Sequence, residues 1–107
     1  MLRCFEVANL ALSGVGKLNE RSASNIKMCC RALDDINREF GVGQNCEATI
    51  TDKSLRLSLA ITDISYDNKF YPYLMDVVKN CSKVGFGWIN DSSIAIMVEF
   101  SDITRRV

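Results

Sequence analysis

Between Ala23 and Phe40, the apolar residues Ile26, Cys29, Leu33, Ile36 and Phe40 recur at alternating steps of three and four. On a helix of about 3.6 residues per turn, that spacing draws a single stripe. Ser22 or Ser24 is expected to cap its start, because a Ser hydroxyl accepts one of the unpaired backbone N–H groups there. Gly41 follows the last stripe residue, where a left-handed stop suits Gly. Arg31 with Asp35, and Asp34 with Arg38, stand four apart and are expected to pair on the solvent side. The same rhythm returns in Phe70, Leu74, Val77, Cys81 and Val84, which predicts a second helix from Pro72 to about Lys83. Pro72 suits a first helical position, which needs no N–H. Phe70 is placed to staple against Met75, and Gly85 to stop the helix.

Elsewhere the rhythm changes to strict alternation. Leu55, Leu57, Leu59 and Ile61 alternate with Arg56, Ser58, Ala60 and Thr62, the mark of a half-buried strand. Ala48 and Ile50 alternate with Glu47, Thr49 and Thr51 before it, and Asp52-Lys53-Ser54 reads as the turn between. A later pair sets Val84, Phe86 and Trp88 on one face, turns near Asn90-Asp91, and returns through Ile94, Ile96, Val98 and Phe100. The order helix–strand–strand thus occurs twice. The expected fold is α+β, with a four-stranded antiparallel sheet and its helices on one face. Residues 2–13 decide the full order. Phe5, Ala8, Leu12 and Val15 suit a helix closed by Gly14 and Gly16, giving α-α-β-β-α-β-β. An extended reading of Arg3 to Asn9 would give a ferredoxin-like β-α-β-β-α-β order with an extra strand.

Composition narrows the chemistry. A chain of 107 residues, 48% hydrophobic, is expected to form a single domain, 1–107, with a packed core of its own. Thirteen basic residues balance thirteen acidic ones, so no dominant nucleic-acid footprint is expected. No run approaches the ~18 apolar residues of a membrane span. Glu6 and Asn9 interrupt what would otherwise resemble a signal peptide. Five cysteines, Cys4, Cys29, Cys30, Cys46 and Cys81, make an odd number, which argues for free thiols and a cytoplasmic setting.

The same residues speak against several chemistries. Gly14-Val15-Gly16-Lys17 resembles the end of a phosphate loop, but Ala11 stands where such a loop needs Gly and Leu18 where it needs Ser or Thr. The cysteines lack the close paired spacing of zinc sites, and no His completes a ligand set. Cys29 and Cys30 are neighbours, and neighbours on a helix point about 100° apart. Cys29 and Cys81 lie on core stripes, where Cys acts as a small hydrophobe. A nucleophilic Ser or Cys would need a base, and the chain has no His to serve. No metal, cofactor or catalytic residue is expected.

Binding surfaces remain. Tyr66, Phe70, Tyr71 and Tyr73 cluster in one segment, and Tyr offers large contact area with a polar tip. If Leu57 and Ile96 face the helices, the opposite sheet face carries Thr49, Thr51, Arg56, Ser58, Ala60, Thr62, Gly85, Gly87, Ile89, Ala95, Met97 and Glu99. The small residues of that row allow another surface close approach. These observations point to a non-catalytic protein-binding module of inhibitor, immunity or adaptor type. It would dock to a protein partner or a second copy through Ala60, Tyr66, Tyr71 and Met97. The alternative is a small nucleic-acid-binding domain using Lys27, Arg31 and Arg38, which lie near one side of the first helix. Asp34, Asp35 and Glu39 interleave with those cations and are expected to cancel their field.

Overall fold

Among the described residues, three helices and four strands follow one another in the order predicted with a helical N-terminal segment. They come from a computed structural model that describes residues 3–40, 46–51, 53–61, 71–90 and 93–104. Helix α1 spans Cys4–Leu12, which removes the ferredoxin-like alternative. Helix α2 spans Glu20–Phe40, strands β1 and β2 span Glu47–Thr51 and Ser54–Ile61, and helix α3 spans Tyr71–Lys79. Strands β3 and β4 span Lys83–Asn90 and Ser93–Phe100.

All four strands join one antiparallel sheet in the order β1-β2-β4-β3. The two hairpins meet along β2 and β4, with Leu57 opposite Val98 and Leu59 opposite Ile96. The inward row of these central strands is closed off from water: Leu55, Leu57, Leu59, Ile96, Val98 and Phe100 are at most 3% exposed. Among the described residues, the helices pack on that face. Ile26, Cys29, Leu33 and Ile36 of α2 are buried against it, as the stripe predicts, and Val77 of α3 is buried beside them.

The ends of the elements depart from expectation in instructive ways. Helix α2 starts earlier than Ala23, and neither Ser22 nor Ser24 caps it. Asn19 does, its side-chain oxygen accepting the Ser22 N–H at 2.7 Å. Asn19 is itself held from far along the chain. Its backbone N–H donates to the Ile103 carbonyl at 3.0 Å and its side-chain amide to the Asp102 carbonyl at 2.9 Å. Ile103 is fully buried, its N–H donates to the Lys53 carbonyl, and Leu18 bridges to Thr104. The segment after β4 therefore ties the start of α2 to the first hairpin.

Helix α3 stops at Lys79 rather than near Lys83, because the Asn80 side chain donates to the Asp76 carbonyl at 2.6 Å and closes the last turn. Gly85 is no helix stop. It lies within β3, opposite Met97. The proposed Phe70 staple falls outside the described residues, and Met75 is 56% exposed. On α1 the inward residues are Cys4 and Ala8, with Ala11 and Leu12 packed alongside. Phe5, assigned to the inward stripe from sequence, is 41% exposed.

Candidate functional site

Two surfaces carry the residues that the sequence singles out. The first is the sheet face turned away from the helices. Period-two alternation delivers its occupants: residues flanking the buried Leu57, Leu59, Ile96 and Val98 must point the other way. Strand pairing assembles them into rows. Ala60, Ala95 and Gly87 lie side by side across β2, β4 and β3, and Ser58, Met97 and Gly85 form the next row. Met97 is 44% exposed. Its terminal methyl lies 3.8 Å from where a Cβ on Gly85 would stand, so the side chain reaches over the space Gly85 leaves open. At Gly87 a Cβ would meet nothing within 4 Å.

A charged row bounds this smooth patch. Glu99 bridges Arg56 at 3.2 Å and Lys83 at 3.9 Å, linking three adjacent strands. The structure thus brings Ala60 and Met97 together at the centre of one face. Tyr71 is the first residue of α3, and its side chain lies outside what the structure describes. Tyr66 lies outside the described residues.

The second surface is a cleft of about 630 Å³ between the start of α1 and the outer side of α2. Lys27, Arg31 and Arg38 all line it, joined by Arg3 and Phe5 across from them. The two predicted ion pairs on this helix do not form. Asp34 instead turns to α1, accepting the Cys4 N–H at 2.6 Å and the Phe5 N–H at 3.3 Å. Arg3, at the N-cap position, makes no side-chain cap, so an acid from another helix neutralises the free donors at this positive helix end. Asp35 pairs with Arg38 at 3.1 Å, and Glu39 lies 3.7 Å from the same guanidinium. The acids expected to cancel the basic stripe are therefore engaged elsewhere or gathered on Arg38.

No sequence signal announces the role of Asp34 or the addition of Arg3 and Phe5. Asp34 stands thirty residues from Cys4, and a cap supplied across that distance has no local signature.

All five cysteines are free. Cys4, Cys29, Cys30 and Cys46 are buried and Cys81 is partly buried. Sequence placed Cys29 and Cys81 on core stripes but not the others. Cys30 is inside as well because α1 packs beside α2 and widens its buried face. A hydrogen bond with Cys46, then burial, then the nearby Cys46 and Asp34 charges push the Cys4 thiol far up. Burial first, and then Cys46 and Asp34, raise Cys30 from 9.0 to about 12. Burial also raises Cys29, with Cys30 adding to it, and raises Cys81. Such thiols stay protonated near neutrality, and the thiolate is the nucleophile and the metal ligand. Among the described residues, no three Cys, Asp or Glu side chains are grouped to hold a metal ion. Among the same residues, no helix is long and apolar enough to cross a membrane.

Comparison with known proteins finds no match to a family model, a curated protein or a solved structure.

Proposed function

We propose that this chain is a non-catalytic, cytoplasmic protein-binding module of inhibitor, immunity or adaptor type. It docks to a protein partner or to a second copy through the outward face of its sheet. One observation carries the reading. That face has no helix over it among the described residues, and its centre is a shallow floor of Ala60, Ala95 and Gly87 with Met97 raised beside it. Small side chains let an opposing surface approach closely, and Met adapts its shape to a partner with little penalty. The charged row of Arg56, Glu99 and Lys83 supplies polar contacts at the rim, as protein interfaces commonly have. The raised Cys4, Cys29 and Cys30 thiols and the lack of any His in the sequence support binding rather than catalysis.

The test places a charge at the centre of the patch. Met97→Glu adds a carboxylate that a docked partner would have to desolvate without a matching group. The free protein should tolerate it, since surface substitutions commonly stay within ~0.5 kcal/mol. Self-association measured by sedimentation, or capture of a partner from a host lysate, should be lost while the melting temperature holds. Lys27→Glu, on the far side of the molecule, should leave both unchanged. If Met97→Glu associates normally and Lys27→Glu does not, the sheet face is not the interface.

A further inference from the structure

The α1–α2 cleft supports an inference that stands apart from docking on the sheet. Its cations are unevenly paired. Arg38 is matched by Asp35 and Glu39, and the Asp34 carboxylate is held by two backbone N–H groups of α1. Arg3, Lys27 and Arg31 have no acidic partner among the described residues, and Glu6 is the one acid of the lining not already engaged. Three cations without an ion pair thus line one cleft, beside the acids Glu6, Asp34 and Asp35. Concavity matters, because low-dielectric walls focus the field of charges that line them.

Shape selects the class of anion. A volume of about 630 Å³ falls within the range of pockets that enclose small molecules, about 300–1,000 Å³. Arg31 and Arg3 offer guanidinium forks, which match phosphate oxygens two at a time, and Lys27 adds a mobile point charge. Phe5 exposes 41% of its surface at the same site, giving an apolar wall beside the cations. We propose that this cleft binds a compact phosphorylated small molecule. Its phosphates lie on Arg31, Lys27 and Arg3, and its ring lies against Phe5. The Asp34 cap contributes by anchoring the first turn of α1, which carries both Arg3 and Phe5 to the cleft.

Calorimetric titration of the full chain at low salt, with pyrophosphate, ADP and adenosine as probes, tests this directly. ADP and pyrophosphate should bind with Kd below about 1 mM, and adenosine should give no heat. Arg31→Glu should weaken ADP at least about tenfold, since it removes charge-assisted bonds and adds repulsion. Lys27→Gln, a milder change that preserves the helix, should weaken it about threefold. Raising the salt should weaken ADP further, whereas Met97→Glu should bind it normally. No binding of either phosphate at about 10 mM overturns the proposal, as does adenosine binding equal to ADP. Wild-type affinity in both folded variants also overturns it. A single-stranded oligonucleotide whose affinity grows with its length, undisplaced by ADP, would overturn it in favour of a nucleic-acid surface.

Discussion

The molecule contains the order helix–strand–strand twice, and the two units end up differently. In the first, a helix of 21 residues leads into β1 and β2; in the second, a helix of 9 residues leads into β3 and β4. Each unit gives the sheet one central strand with a fully apolar inward row, so the core is shared between them. They diverge at the edges. The inward residues of β1, Ala48 and Ile50, are packed against the core beside α1. On the opposite edge, Phe86 of β3 pairs with the buried Ile96 yet remains 46% exposed, and Met75 and Val78 of α3 are exposed as well. The difference is the third helix. Among the described residues α1 has no counterpart beside the second unit; on the helix side Ala48 and Ile50 are half-buried at the first edge, whereas at the other edge Val84 is half-buried and Phe86 exposed. Inward direction and burial are separate properties, and only the first follows from alternation.

The sharpest way to break this comparison is to remove the same kind of contact from both units. Leu33 is 1% exposed at the centre of the first unit. Leu33→Ala should destabilise the fold by about 2–5 kcal/mol in denaturant unfolding, because a cavity adds to the lost transfer energy. Phe86→Ala in the second unit should lose less than about 1 kcal/mol, since much of that ring already meets water. A larger loss at Phe86 than at Leu33 would mean that the second unit, not the first, carries the core.

The contrast also explains what could be read in advance. The three-and-four rhythm of Ile26, Leu33 and Ile36, and the alternation of Leu55, Leu57 and Leu59, are local patterns, and the structure follows them. Ala60 and Met97 are legible for the same reason, since they fall between buried neighbours. The failures involve contacts across long separations. Asn19 caps α2 with support from Asp102 and Ile103, and Asp34 serves α1 instead of its own helix. Helix periodicity places Asp34 opposite Arg38 as readily as opposite Cys4. The choice is made by the free N–H groups of α1, which offer an acid stronger bonds than an exposed ion pair does. The basic cleft was hidden by the same exchange of partners.

The thiols offer a second comparison between the units. Cys4, Cys29 and Cys30 lie buried in and around the first unit, while Cys81 of the second is only partly buried. A thiol reagent at mildly alkaline pH should therefore modify Cys81 first, with the other four reacting only as the protein unfolds. Stability should depend on pH in a set direction. Below 9.0, the ordinary value, folded and unfolded Cys30 both hold the proton and contribute no slope. Above it the unfolded chain loses the proton first, so stability falls with rising pH until the folded thiol ionises near 12. The slope should be about 1.4 kcal/mol per pH unit for each such thiol, and Cys30→Ala should remove one share of it. Unfolding curves with the same alkaline slope in wild type and Cys30→Ala would show that Cys30 is not protected as its burial implies.

The smallest effect expected bears on why the two edges differ at all. Helix α1 covers the first edge, and its N-terminal turn is held to α2 by the Asp34 carboxylate. Asp34→Ala should cost about 1 kcal/mol, the usual loss when a helix end loses its cap. Asp34→Asn, which keeps an acceptor but gives up the charge, should lose less. The loss should be local. Amide exchange at Cys4 and Phe5 should accelerate, while exchange at Leu57 and Val98, paired across the central strands, should follow global stability alone. If the cap holds α1 over β1, Ala48 and Ile50 should also lose protection, and the first edge should begin to behave like the second. Unchanged exchange at Cys4 and Phe5 in Asp34→Ala would separate the cap from the placement of α1, leaving the packing of Cys4 and Ala8 to hold that helix in place.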